Sequence, residues 1–260
     1  MKHTFVVLAY KESKYLETCI RSVIKQTYAS EVMIATSTPN KFIYEMAKKY
    51  NLRVAVNEGK KGIGYDFDFA LHATENLVTI AHQDDVYETT YAQCIVEAYK
   101  KNKSALILFS DYYEIRNNQK VESNTNLKIK RILLTPLRLQ SWSGFRFIKR
   151  LVLRFGNSIC CPAVTFNTAQ IKLSKVFASE FQCNVDWNAW ESLSNQKGKF
   201  IFISKQLMGH RIHVESTTTE IINDNIRTKE DYEMLKRFWP SFIAKAINKF
   251  YKNAEKSNQE

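Results

Sequence analysis

The sequence predicts an α/β fold: a mostly parallel sheet covered by helices, followed by a basic, partly helical C-terminal region. Two observations lead there. The first eighty residues alternate strand-like and helix-like segments, the signature of parallel strands joined by helical crossovers. Polar clusters also follow three of those strands, at Tyr10–Ser13, Thr36–Asn40 and His82–Asp85. In an open α/β sheet such clusters gather on the carboxyl edge, where ligands bind.

Taken in order, Phe5–Tyr10 reads as a buried strand. Lys14–Gln26 places Leu16, Cys19, Ile20, Val23 and Ile24 at helical spacing. Glu31–Ala35 is a second strand, Phe42–Tyr50 a helix and Leu52–Val56 a third strand. The glycine-bearing loop Asn57–Gly64 leads into a helix at Tyr65–Ala73 and a fourth strand at Leu77–Ala81. Tyr91–Lys101 reads as a helix and Ala105–Phe109 as a strand, then Asp111–Asn126 as a hairpin or loop. Leu127–Phe155 has no clear period, and Asn157–Asn167 reads as extended. Asp186–Ser194 is helical, Phe200–Ser204 a strand, and Lys229–Lys252 a helical region broken near Pro240.

Length and composition suit a globular chain of 260 residues, with 45% hydrophobic and 25% charged residues. The net charge of +12 favours anionic partners. It sits in the second half: Lys120–Arg154 holds nine basic residues and one acid, Glu122. Within it, Arg131–Arg154 mixes aromatic and basic side chains, as an amphipathic surface on anionic lipid would. The C-terminal helix offers a second such face. No nucleic-acid motif accompanies the charge, so nucleic acid is not expected as a partner. Five cysteines without framework spacing point to reduced thiols and a cytoplasmic location. No signal peptide or spanning segment is visible, which leaves a soluble or peripheral protein on the cytoplasmic face of a membrane.

The chemistry concentrates at His82-Gln83-Asp84-Asp85, directly after a buried strand. Adjacent carboxylates in that position suit Mg2+ or Mn2+, which take one or two carboxylates and complete their shell with phosphate oxygens and water. The alternative is a solvated turn whose Asp caps the next helix.

At this point the chain resembles the family 2 glycosyltransferases, which have the GT-A fold. The resemblance rests on Ala9-Tyr10-Lys11-Glu12-Ser13, on Gln26-Thr27-Tyr28, on Asn57-Glu58-Gly59 and on Asp68-Phe69-Ala70-Leu71. It continues through Val78–Tyr87, Asp186 in Asn184-Val185-Asp186-Trp187, and Arg211-Ile212-His213. Residues 1–219 would form the glycosyltransferase domain, with 1–110 as the nucleotide-sugar half and 111–219 as the acceptor half. Residues 220–260 would be a helical extension.

The resemblance implies an inverting, metal-assisted transfer of a sugar from a nucleotide sugar, by family default UDP-linked, to a hydroxyl of a surface glycan or lipid-linked acceptor. Asp84 and Asp85 would hold metal and donor ribose between them, and His213 would complete the metal shell. His82 stands where the family has Asp, and would bond the ribose or the metal. Tyr10, Glu12, Ser37, Asn57, Asp68 and Arg211 would line the donor. Asp186 would be the general base, kept ionised by the dipole of its helix. The segment Thr36-Ser37-Thr38-Pro39 lacks the carboxylate that the family often has after the second strand. Two other readings stand beside this one. A nucleotidyltransferase would want a glycine-rich loop after the first strand, and Leu8–Ser13 has no glycine. A non-catalytic nucleotide- or anion-binding module of the same fold would tolerate the altered His82.

Overall fold

The structure, a computed structural model, describes residues 2–213 and 226–257. The boundary expected at 219/220 lies outside the described residues. Among them, nine strands form one sheet in the order β3-β2-β1-β4-β8-β6-β9-β5, where β5 is the short strand Val86–Tyr87, with β7 (Gln119–Val121) paired to β6. Strand β1 (His3–Ala9) lies between β2 (Glu31–Thr36) and β4 (Leu77–His82), and β3 (Arg53–Val56) flanks β2, all parallel. Strand β8 (Val164–Asn167) is antiparallel to both β4 and β6 (Ala105–Arg116). Consequently β6 runs in the same direction as β4, and β9 (Lys199–Ile212) is parallel to β6.

Both faces of the sheet are covered, so its central strands are apolar in consecutive positions rather than alternating. Phe5, Val7 and Ala9 enter a core with α1 (Leu16–Ile24), α2 (Lys41–Tyr50) and α4 (Tyr91–Lys101). Val6, Leu8 and Ile80 face the opposite core, with α3 (Ile63–His72) and α7 (Val185–Ser194). The helix boundaries follow local chemistry. Asn40 caps α2 by accepting from the Ile43 amide at 3.0 Å, and Asn124 caps α5 (Thr125–Leu133) by accepting from Leu127 at 2.9 Å.

A row of polar groups crosses the sheet inside this packing. The His3 ring meets Ser30 Oγ at 2.8 Å and Thr79 Oγ1 at 2.9 Å. Thr79 meets Thr165 at 2.6 Å, and Thr165 meets the Tyr91 hydroxyl at 3.1 Å. Burial pushes the His3 imidazole down to about 3, so it sits in the row as a neutral group.

The second half differs from the sequence expectation in three places. Strands expected at Ala105–Phe109 and Phe200–Ser204 extend to Arg116 and Ile212. Their second halves carry charges that the fold answers internally. Asp111 takes Arg131 at 2.7 Å, while Glu114 takes Arg116 at 2.7 Å and Asn124 at 2.8 Å. Gly209 is required in β9, because a Cβ there would lie 2.5 Å from the Tyr113 ring. Residues 111–126 do contain a hairpin, turning at Asn117 and Asn118 with φ of 50° and 61° before β7 (Gln119–Val121). Of Asn157–Asn167, expected to be extended, Val164–Asn167 forms a strand and is preceded by a single turn at Cys161–Ala163. The segment without clear period folds as α5, a short turn at Thr135–Arg138 and α6 (Arg146–Leu151).

The C-terminal helices α8 (Ile226–Lys236) and α9 (Ser241–Ser257) break at Pro240 as expected. Met234, Leu235 and Ala244 join the core that holds Trp187 and Trp190. Among the described residues no helix is long and apolar enough to cross a membrane.

Candidate active site

The loops after β1, β2 and β4 converge on the carboxyl edge of the sheet. Gln83 joins two of them: its Oε1 accepts from the Tyr10 amide at 2.9 Å and its Nε2 donates to the Tyr10 carbonyl at 3.0 Å. Lys11 adopts φ of 54° and its amide donates to Thr38 Oγ1 at 2.6 Å. The Tyr10 ring and Glu12 are exposed at this rim.

The two carboxylates after β4 are used differently. Asp85 is fully buried and faces β9. Its Oδ1 lies 3.1 Å from His210 Nδ1 and accepts from the Arg211 amide at 2.8 Å. Burial opposes ionisation of Asp85, yet His210, His82 and the Arg211 amide together pull its proton affinity below the usual carboxylate range. Burial likewise opposes protonation of His210, and Asp85 overcomes it. Asp85 therefore ties the turn to β9. Asp84 is partly exposed, and its Oδ2 lies 2.9 Å from His213 Nε2.

Arg211 is drawn inward. It donates to the Asp84 carbonyl at 2.9 Å and to Asn118 at 3.0 Å, with its guanidinium 4.4 Å from the Tyr15 ring centre. His82 packs 5.1 Å from Phe67, and its buried Nε2 has no hydrogen-bond partner among the described residues. Burial pushes its imidazole towards the neutral form, against Asp85, Asp84 and Asp186.

A second cluster lies at the ends of β2 and β3. Ser37 donates to Asp66 Oδ2 at 2.8 Å, and Asn57 donates to Asp66 Oδ1 at 2.7 Å. A carboxylate thus does reach the end of the second strand, from Asp66 in the first turn of α3. Sequence reading missed it. The four-residue spacing to Ala70 puts Asp66 on that face of the helix, but does not say what the face meets. Asp68, expected beside the donor, is instead engaged by backbone. Its Oδ1 accepts from Val176 at 2.8 Å and Phe177 at 3.0 Å, and its Oδ2 from Ala178 at 2.8 Å.

Asp186 lies in the first turn of α7. Its Oδ2 accepts from Asn157 Nδ2 at 2.5 Å and its Oδ1 from the Trp187 amide at 2.8 Å. The helix dipole was expected to hold it ionised; burial outweighs the hydrogen bonds and Lys130, and raises its proton affinity. The approach to α7 is held from α8, where Glu230 accepts from the amides of Gln182, Cys183 and Asn184. Lys130 donates to the Tyr112 hydroxyl at 3.1 Å. Burial works against its charge, but its surroundings, Asp186 among them, raise its proton affinity overall.

The donor set at Asp84 and His213 fits a divalent cation that needs few protein ligands. One carboxylate oxygen and one imidazole nitrogen face each other, leaving the remaining positions to phosphate and water. Among the described residues no group of three or more His, Cys, Asp or Glu side chains is placed to hold a metal ion.

The comparisons agree with this architecture. The family model "Glycosyl transferase family 2" matches residues 4–167. Residues 1–349 of S. aureus TarS, solved in complex with UDP-GlcNAc, superpose with a TM-score of 0.64 at 16% identity. That match covers 95% of this chain and 70% of the other. The mannosyltransferase PcManGT from Pyrobaculum calidifontis, solved with GDP-Man and Mn2+, gives a TM-score of 0.64 at 12% identity, covering 95% and 69%. At those identities the likeness is one of fold. No curated protein matches the chain.

Proposed function

The chain belongs to glycosyl transferase family 2, and from that premise we propose that it transfers a sugar, with inversion, from a UDP-linked donor to a hydroxyl of a surface glycan or lipid-linked acceptor. What supports the reading, beside the family match, is that two carboxylates from different segments lie near one side chain of the β4 edge. Asp84 and Asp186 both act electrostatically on His82, one from the β4 turn and the other from the start of α7.

Ser37, Asn57 and Asp66 would receive the nucleobase. A carboxylate held by two neutral donors keeps lone pairs for a ring N–H of the base. His82, at the carboxyl end of β4, would lie beside a ribose hydroxyl. Asp84 and His213 would hold Mn2+ or Mg2+, which when bound neutralises the charge growing on a departing diphosphate. Asp186 would take the proton from the acceptor hydroxyl as that oxygen attacks the anomeric carbon in line. Its raised proton affinity brings it closer to the range of a useful base. Asn157 fixes the orientation of the carboxylate, and Glu230 fixes the backbone leading into its helix.

The experiment is a thermal-shift panel of UDP, GDP and their sugars with Mn2+, repeated with chelator, followed by turnover of the responding donor. A ligand that binds only the folded form raises the melting point by mass action. A melting point unmoved by every nucleotide would end the donor assignment.

A further inference from the structure

Residues 138–147 present Arg138, Leu139, Trp142, Phe145, Arg146 and Phe147 to solvent with no acid among them. Phe145 is 61% exposed and Phe147 69%. The segment is nonetheless built into the fold. Ser143 is fully buried, its carbonyl accepting from the Phe200 amide at 3.0 Å, and Gln140 accepts from Asn102 at 3.1 Å. Aromatic side chains held outward by an ordered backbone mark a contact surface.

A groove continues the surface. Arg146, Arg150 and Arg154 are spaced four apart, and with Phe147, Leu151 and Phe238 they line a cavity of about 480 Å³. Arg150 is paired with Glu191. Arg146 is met by the neutral Asn195, and Arg154 lies 3.6 Å from the Trp239 ring centre. The groove therefore keeps a net positive charge. Contacts from Arg146 to Asn195, Arg150 to Glu191 and Asn157 to Asp186 show this stretch running antiparallel to α7. One end sits beside the start of β9, at the edge of the sheet opposite His82. The other end points towards Asp186.

We propose that this ridge seats the protein on an anionic bilayer, with Phe145 and Phe147 entering the acyl boundary and the arginines lying against phospholipid head groups. Charge complementarity identifies an anionic partner. The exposed phenylalanines favour lipid over a soluble polyanion, which would engage the arginines and leave both rings in water. The proposal is independent of the transfer chemistry, and its test uses neither donor nor metal.

The test is flotation of the full chain with vesicles of phosphatidylcholine, with or without about 30% phosphatidylglycerol, at about 0.1 M salt. Binding is expected to the anionic vesicles and to fall steeply at higher salt. The double variant Phe145→Ser, Phe147→Ser should reduce partitioning roughly tenfold. Arg138→Gln with Arg146→Gln should do the same on anionic vesicles only. All four side chains are exposed, so melting points should stay at the wild-type value. Absence of binding to anionic vesicles overturns the proposal, as does equal binding to neutral ones. Binding that is indifferent to the phenylalanine pair also overturns it, since charge alone would then account for the contact.

Discussion

Replacing Asp68 tests whether that carboxylate works for the fold or for the ligand. It accepts three backbone amides from one segment, at 2.8 to 3.0 Å. The same segment rests on α3 at Gly64, where a Cβ would lie 2.6 Å from the Phe177 carbonyl, and it carries the buried Phe177 ring against Phe67 and Phe166. In Asp68→Ala the Val176 and Phe177 amides lose their acceptor in a buried setting, while the Ala178 amide is nearer to water. At about 1–3 kcal/mol for each of these two buried donors left unmet, the loss should be about 2–6 kcal/mol. That is a large part of the roughly 5–15 kcal/mol typical of a folded protein. Asp68→Asn keeps one oxygen for two of the amides and turns an NH2 towards the third, so it should cost less, about 2 kcal/mol. Urea unfolding followed by circular dichroism gives both values. Nucleotide affinity, measured where each variant is fully folded, should match wild type. A loss below about 1 kcal/mol for Asp68→Ala, or a selective loss of nucleotide binding, would refute the assignment to packing.

Five further outcomes are expected. Asp186→Asn should lower turnover by about 10²–10⁴-fold while nucleotide binding persists, as for removal of a general base. Because the folded-state proton affinity of Asp186 is raised, the ionised carboxylate costs stability. The Asn variant should therefore melt higher at neutral pH, with the advantage fading as pH falls towards the unfolded carboxyl value near ~4; an unchanged difference across that range would count against it. Asp66→Ala should weaken nucleotide binding about tenfold by calorimetry, equivalent to one lost hydrogen bond to a charged group. His3, held down to about 3 in the fold, should make wild type less stable as pH drops below ~6.5, because the unfolded chain gains a proton that the folded chain refuses. Gly64→Ala should destabilise, since the Phe177 carbonyl at 2.6 Å is backbone and has little room to yield.

The first half of the chain was legible because its signals are local. Buried parallel strands are short apolar runs, and α1, α2 and α4 carry plain helical periods with polar turns between. The placement of His82–Asp85 on the same edge as Tyr10 and Thr38 followed from that alternation. What escaped depends on contacts between distant segments. The outer half of β6 looks too polar for a buried strand, and the partners that answer Asp111 and Glu114, Arg131 and Asn124, lie beyond the reach of any local pattern. Neither was it visible that Asp84 and Asp85 point to different partners, one to His213 and the other to His210 and the Arg211 amide. Asp66 was overlooked and Asp68 favoured for the same reason. Two carboxylates two residues apart on one helix face different ways. Only the fold decides which meets Ser37 and which meets the amides of 176–178.

The buried row from Ser30 through His3, Thr79 and Thr165 to Tyr91 has a consequence for how substitutions combine. A neutral imidazole donates from one nitrogen and accepts at the other, so the tautomer chosen beside Ser30 constrains the direction in which each hydroxyl further along gives its hydrogen. Swapping Thr79 alone for valine strands its two neighbours. Swapping Thr79 and Thr165 together removes a matched donor and acceptor, and should cost less than the two single changes summed. Residues on three strands and a helix would thus show strong epistasis, and homologues should be found to exchange them as sets.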